Sequence, residues 1–146
     1  MARYSAGMTA AGAGTAATRP IFGVLGTAAV APKVREIGLF NTTATACTYR
    51  VVAFTGGTPG ATVTAYATDL GILGTPTCLA KQLWTADLGS LLDTGYRVVL
   101  GAAIGSGAIL TFGDNGLRSA LGATVGIGLI PVGTGQVCEV YMVWDE

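Results

Sequence analysis

The chain has no histidine among its 146 residues, and that absence removes most of the usual catalytic chemistry. A Ser-His-Asp or Cys-His nucleophile pair needs an imidazole base, and His-ligated zinc or iron sites need the same ring. Apart from the terminal Asp145-Glu146, the eight acidic residues are separated in sequence, and no pair sits at a spacing that would suggest a glycosidase dyad. Cys47, Cys78 and Cys138 have no metal-ligand spacing, and three thiols leave one outside any disulfide. Buried free thiols in a reducing cytoplasm are the simplest account. Gly101 to Gly107, GAAIGSG, has the glycines of a phosphate loop but lacks the Lys-Ser/Thr that would follow, so it reads as a turn. Asp114-Asn115 lacks the alternating acids of a calcium loop. Asn41-Thr42-Thr43 matches a glycosylation acceptor, but with no secretion signal it reads as a hairpin elbow. Trp84 and Trp144 could stack on a sugar, although a core or interface role suits them better. No residue is assigned to catalysis, no metal or cofactor is expected, and the chain reads as a non-enzyme.

The elements that would carry these residues are strands. Val34 to Phe54, VREIGLFNTTATACTYRVVAF, alternates faces through two runs separated by Asn and Thr residues that hydrogen-bond their own backbone in turns. Further runs follow at Cys78–Trp84, Tyr96–Leu100, Ala108–Phe112, Thr124–Ile130 and Val137–Trp144. Asp114-Asn115-Gly116 marks a tight turn. Thr62 to Asp69 fits either a short strand or a helical turn. The 23 glycines, more than twice the usual share of about 7%, argue for turns over long helices. The pattern predicts an all-β, jelly-roll-like sandwich of about eight antiparallel strands over residues 20–146. Its expected core is Ile37, Leu39, Val51, Ala53, Leu83, Val98, Leu100, Ile109, Val125, Ile127, Leu129 and Val143. Residues 1–19, small and low in complexity, are expected to form an N-terminal arm, either a mobile tail or a strap across a neighbouring subunit.

Charge points to a partner rather than a substrate. Charged residues are 11% of the chain and the formal net charge is zero, against about 25% charged in a typical domain. With so little repulsion, much of the surface is expected to be covered by other copies or another protein. Scattered Lys and Arg exclude a nucleic-acid stripe. Ser119–Cys138 is uncharged and long enough to span a bilayer, yet it contains Pro131 and alternates at Val125, Ile127 and Leu129, so no membrane partner is expected. The Ala/Gly/Thr-rich start has no apolar core of a signal peptide.

Several stretches together resemble a known class. VREIGLFNTTATA, GTPGA and the run GYRVVLGAAIGSGAILTFGDNGLRSALGATVGIGLIPVGTGQVCEVYMVWDE are similar to the head decoration, or cement, proteins of tailed bacteriophages. The Phe-Gly-Asp turn, Gly-Ile-Gly-Leu and the terminal aromatic strand ending Trp-Asp-Glu carry most of the likeness; the arm and residues 62–94 lie outside it. The resemblance implies a viral structural protein, made in the host cytoplasm, that sits on the outer capsid surface of the virion. It also implies a homotrimer or similar oligomer bridging major capsid protein subunits. Arg3, Tyr4, Met8 and Arg19 of the arm, with Trp144, are the candidate subunit or capsid contacts. The alternative is a tail-fibre or tail-tip sandwich domain that binds a host receptor through Trp84 or Tyr96. A cellular trimeric binding module ranks below both, because it would need a secretion signal.

Overall fold

Alternation of apolar and polar side chains along most of the chain leaves it only one way to bury its apolar half, as two facing sheets. The computed structural model describes residues 1–10, 17–69, 71 and 74–146. Eleven strands lie among the described residues: β1 Arg3–Ala10, β2 Phe22–Leu25, β3 Lys33–Asn41, β4 Cys47–Thr55, β5 Tyr66–Ala67, β6 Leu79–Gln82, β7 Ser90–Leu100, β8 Gly107–Thr111, β9 Leu117–Arg118, β10 Val125–Val132 and β11 Cys138–Asp145. One sheet runs β5-β1-β11-β3-β8, with β9 also on β3; the other runs β6-β2-β10-β4-β7. Every pairing is antiparallel. The expected all-β sandwich is therefore present, with three strands beyond the eight anticipated.

The first sheet's inner face is Tyr4, Ala6 and Ala10 of β1, Val140, Met142 and Trp144 of β11, and Ile37 and Leu39 of β3. Tyr49, Val51, Val98, Leu100, Ile127 and Leu129 meet them from the second sheet. A second, smaller cluster lies on the outer side of the second sheet. Leu25, Val52, Phe54 and Ile130 are roofed there by Trp84, with Leu88 and Leu91 at its edge. Glycines on β10 make this possible: a Cβ on Gly126 or Gly128 would come within 3.0 Å of the Phe54 ring. Gly-Ile-Gly-Leu thus presents glycine to the outer aromatic layer and Ile127 and Leu129 to the core. The chain reaches the roof through Leu83, held at φ 42°, a conformation that costs a non-glycine residue roughly 1–2 kcal/mol. Its amide bonds Ile21 O at 3.0 Å and the next amide, of Trp84, bonds Pro20 O at 3.0 Å, which pins the crossover.

Two expectations need correction. Arg3–Ala10 is a strand of the sandwich, laddered along its whole length from Arg3 opposite Asp145 to Ala10 opposite Cys138. Its small residues do bury, because Tyr4, Ala6 and Ala10 face larger side chains across the core. Ala17–Arg19 then runs along the outer side of the second sheet, where Ala17 O accepts from Arg50 and Arg19 pairs with Asp87. Residues 11–16 of the expected arm, and residues 70 and 72–73, lie outside the described residues. The core set is also revised. Ala53, Leu83, Val125 and Val143 are only half-buried, and Ile109 points outward opposite Gly38. On β11 the buried face is Val140, Met142 and Trp144, so Val143 faces away.

Candidate interaction surface

The five expected contact residues do not form one surface. Tyr4 and Trp144 are buried against each other, ring centroids 6.1 Å apart, because both occupy inward positions of a directly opposed pair. As core residues they are withdrawn from any contact role. Met8 packs half-buried against the same core. Arg19 lies on the far side, its Nε 2.8 Å from Asp87. Only Arg3 belongs to a polar group of any size.

That group is centred on Asp145, a nearly buried carboxylate. Arg3 donates to it at 2.7 Å and 3.3 Å, and Arg35 Nε lies 3.5 Å away. Lys33 is its cross-strand neighbour on β3, and Arg118 is opposite Lys33 on β9. Four of the chain's eight cations thus gather at one end of the first sheet. Arg35 reaches the group because a bulge between Val143 and Trp144 leaves it as the extra residue of β3. The hydrogen bond from Arg3, with the neighbouring cations, holds the Asp145 carboxyl below the usual carboxylate range. Arg35 also pairs with Asp114 at 3.3 Å, so the Asp-Asn-Gly turn is tied to the same end.

The polar residues singled out in the sequence prove structural. Asn41 is fully buried and saturated: its Nδ2 donates to Thr45 O at 2.7 Å and Gly101 O at 2.9 Å. Its Oδ1 accepts from the Thr43 amide and hydroxyl, both at 2.9 Å. An asparagine so engaged is a hairpin elbow, as expected, with no amide free for a glycan. All three thiols are free and buried; burial pushes Cys78 up to about 12 and Cys138 up to about 11. Among the described residues no three His, Cys, Asp or Glu side chains converge as metal ligands.

The exposed apolar side chains concentrate elsewhere. β7 and β8 are edge strands of opposite sheets and lie side by side along one flank of the sandwich. On them and the turn between stand Leu92 (70% exposed), Tyr96 (46%), Val99 (75%), Ile104 (75%) and Ile109 (52%). Five of the ten large exposed apolar side chains among the described residues lie in this one segment, so the flank carries much of the exposed apolar bulk, although Val99 faces out from the second sheet and Ile109 from the first. Tyr96 is held edge-on against Phe112, centroids 5.0 Å apart. At one end of the strip is a mainly apolar groove of about 290 Å³ lined by Ala53, Phe54, Leu91, Leu92 and Val125, with Arg118 on its rim. On the opposite flank β6 is partly covered: Thr62 bridges to Lys81, and the Val63 amide bonds Ala80 O at 2.9 Å, while Leu79 and Tyr66 stay exposed. Sequence reasoning misses the strip, yet a trace of it is there. Tyr96-Arg97-Val98-Val99-Leu100 is apolar on both faces, and an edge strand can bury only one.

The outer face of the first sheet mixes polar residues such as Thr9, Glu139 and Glu36 with two aromatic rings laid over glycines. Tyr141 lies across Gly38, where a Cβ would fall 1.9 Å from its ring, and Phe40 lies across Gly107. The Tyr141 hydroxyl donates to Glu36 at 2.7 Å; burial, then the Glu36 carboxylate, pushes it up to about 12.

No family model, curated protein or solved structure matches the chain.

Proposed function

We propose that this protein is a bacteriophage virion structural protein that decorates the outer capsid surface and stabilises it by bridging major capsid protein subunits as a homo-oligomer. The observation that carries the reading is the uncovered β7–β8 strip on a chain with almost no charge. An edge strand with exposed Leu, Tyr, Val and Ile is a liability that a free-standing protein blunts with Lys, Pro or a covering loop. Here β6 on the opposite flank is bridged by Thr62 and Val63, whereas no segment among the described residues pairs with the free edges of β7 and β8, which suits a chain that works inside an assembly. The strand order supports the jelly-roll part of the reading. β1-β11-β3-β8 facing β2-β10-β4-β7 is an eight-strand winding of two Greek keys, with the short strands added at the margins.

Decoration follows from simple linkage. A protein that binds the assembled shell and not free subunits shifts the equilibrium toward the shell, and several copies held together multiply weak contacts. The charged end around Asp145 and the face bearing Tyr141 and Phe40 adjoin this flank at Arg118 and Ile109 and add polar and apolar contact area. The receptor-binding alternative loses one of its two candidate aromatics, because Trp84 is the buried roof of the outer cluster.

The test is the copy number of this chain per purified particle, measured by quantitative mass spectrometry against the major capsid protein. Comparable numbers support decoration. A handful of copies matched to tail symmetry, or none, overturns it.

A further inference from the structure

The geometry points to the side-by-side cations Lys33 and Arg118 as a seat for a carboxylate that the partner protein carries beside an apolar side chain. The inference rests on the decoration reading; it adds where the partner is gripped and by what chemistry.

Among the described residues, Lys33 and Arg118 are the two charged side chains with neither an ion pair nor a hydrogen bond. Every other cation pairs with an aspartate or, for Lys81, bonds Thr62. The acids outside those pairs are engaged too: Glu36 by Tyr141, Asp69 by the Gly71 amide, Glu139 by Thr9, and Glu146 by the amides of Thr77 and Cys78. The two free cations are cross-strand partners. Arg118, Lys33, Asp145 and Arg3 follow one another across β9, β3, β11 and β1, so the row reads cation, cation, anion, cation. Like charges directly opposite each other weaken a ladder. Asp145 is already engaged, with Arg3 donating to both its oxygens and Arg35 3.5 Å from one. An anion set over Lys33 and Arg118 removes their repulsion.

The seat is built in advance. The stem of Lys33 lies against Gly116, where a Cβ would come 2.6 Å from its Cγ and 3.2 Å from its Cε. A side chain so held has less freedom to lose on binding. Both cations border a cavity of about 500 Å³ with Val30, Ser119 and Leu121; Asp145 and Glu146 also line it. Arg118, Ser119 and Ala120 border the Leu92 groove as well. A carboxylate bonded to Arg118 therefore has an apolar recess beside it, ready for the neighbouring side chain of a bound segment. At this end Asp69, Asp114, Asp145 and Glu146 balance Arg3, Lys33, Arg35 and Arg118 in number. No long-range field draws in a free anion, so the contact suits an acid delivered at short range by a docking protein surface.

The first measurement uses the purified full chain without capsid. N-acetyl-Glu-Leu-amide at millimolar concentration is titrated in and amide shifts are followed by NMR. Shifts are expected at Lys33, at 117–121 and at Leu91 and Leu92. N-acetyl-Gln-Leu-amide, and the Lys33→Ala and Arg118→Ala proteins, should each bind at least about tenfold more weakly, as loss of a charge-assisted bond predicts. Lys81→Ala should bind as wild type does. Both alanine variants relieve a like-charge pair and should melt no lower than wild type, which separates lost binding from lost folding. Absent shifts, equal binding of the Gln peptide, or sodium acetate binding as tightly as the dipeptide overturns the inference. In the second measurement, particles lacking this chain are offered wild type or Arg118→Glu. Binding of wild type alone supports the seat. Equal binding of both sinks the seat and leaves decoration standing; binding of neither, with the dipeptide response intact, sinks decoration and leaves the seat.

Discussion

Asn41 offers the sharpest test of how the turns are held. Its side chain makes four hydrogen bonds from a fully buried position: two donated to Thr45 O and Gly101 O, two accepted from Thr43. In Asn41→Ala all four vanish. At a net worth of about 1 kcal/mol each the ceiling is about 4 kcal/mol. Thr45 and Gly101 are exposed residues, so water recovers part of the loss and the expected cost is about 3 kcal/mol. For a domain near 150 residues that lowers Tm by roughly 6–12 °C. Urea titration followed by tryptophan fluorescence reads it directly, since Trp84 and Trp144 are both buried. Asn41→Asp sharpens the test, because a carboxylate keeps the shape but cannot donate to the two carbonyls. Burial beside those carbonyls disfavours the charged form, so the introduced carboxyl's folded pKa lies above the unfolded value of about 3.9. Stability of this variant should be greatest below about pH 4 and fall as pH rises through the folded pKa. A loss under about 1 kcal/mol for the alanine variant, or an aspartate variant equally stable at about pH 4 and pH 7, would refute the reasoning.

Further expectations concern the charged end, the glycine–aromatic face and the thiols. Asp145 has its pKa depressed by Arg3 and its neighbours, so its stabilisation is present above the unfolded carboxylate value and is lost as pH falls through the folded one. Asp145→Asn should cost about 2 kcal/mol at pH 7, below the roughly 3–5 typical of a fully buried pair because Arg3 is half-exposed, and should flatten the acid limb of the stability curve. Gly38→Ala would drive a Cβ into the Tyr141 ring and should cost about 2 kcal/mol by urea titration. In a Tyr141→Ala background the same change should be close to neutral; an unchanged penalty there would show that the ring is not the obstacle. Cys78 and Cys138, buried and pushed up to about 12 and about 11, should not react with a thiol reagent near pH 8 until the protein is unfolded. Fast labelling of the native protein would contradict their burial.

The sandwich is legible in the sequence because period-two alternation and turn residues are local signals. β3, β4 and β10 can be read from Ile37, Leu39, Val51, Ile127 and Leu129 alone. β1 cannot, since Tyr4, Ala6 and Ala10 look like a strand only beside the β11 residues that fill the space around them. Phase is lost where the ladder slips: the bulge at Arg35 puts Val34 and Ile37, three apart, on one face, which strict alternation forbids. The contact residues fail for a related reason. Large side chains such as Tyr4 and Trp144 suggest a surface anchor when read alone, and their size is what the core requires.

The interaction strip shows why composition points to a partner without locating it. A chain with 11% charged residues must expose apolar surface somewhere, because about half of any folded surface is apolar even in charge-rich proteins. Here much of that surface is Gly and Thr, which offer little to bind. Bulk is concentrated where the two sheets end together, at Leu92, Val99, Ile104 and Ile109. Which strands become edges is a property of topology, set by β7 and β8 each having one neighbour in its sheet, and the apolar residues of an edge strand look in sequence like those of a central one. The same run of valines would be core in β4. In β7 Val98 still enters the core while Val99 is left facing outward, and the rigid turn gripped by Asn41 keeps its exposed isoleucine in place.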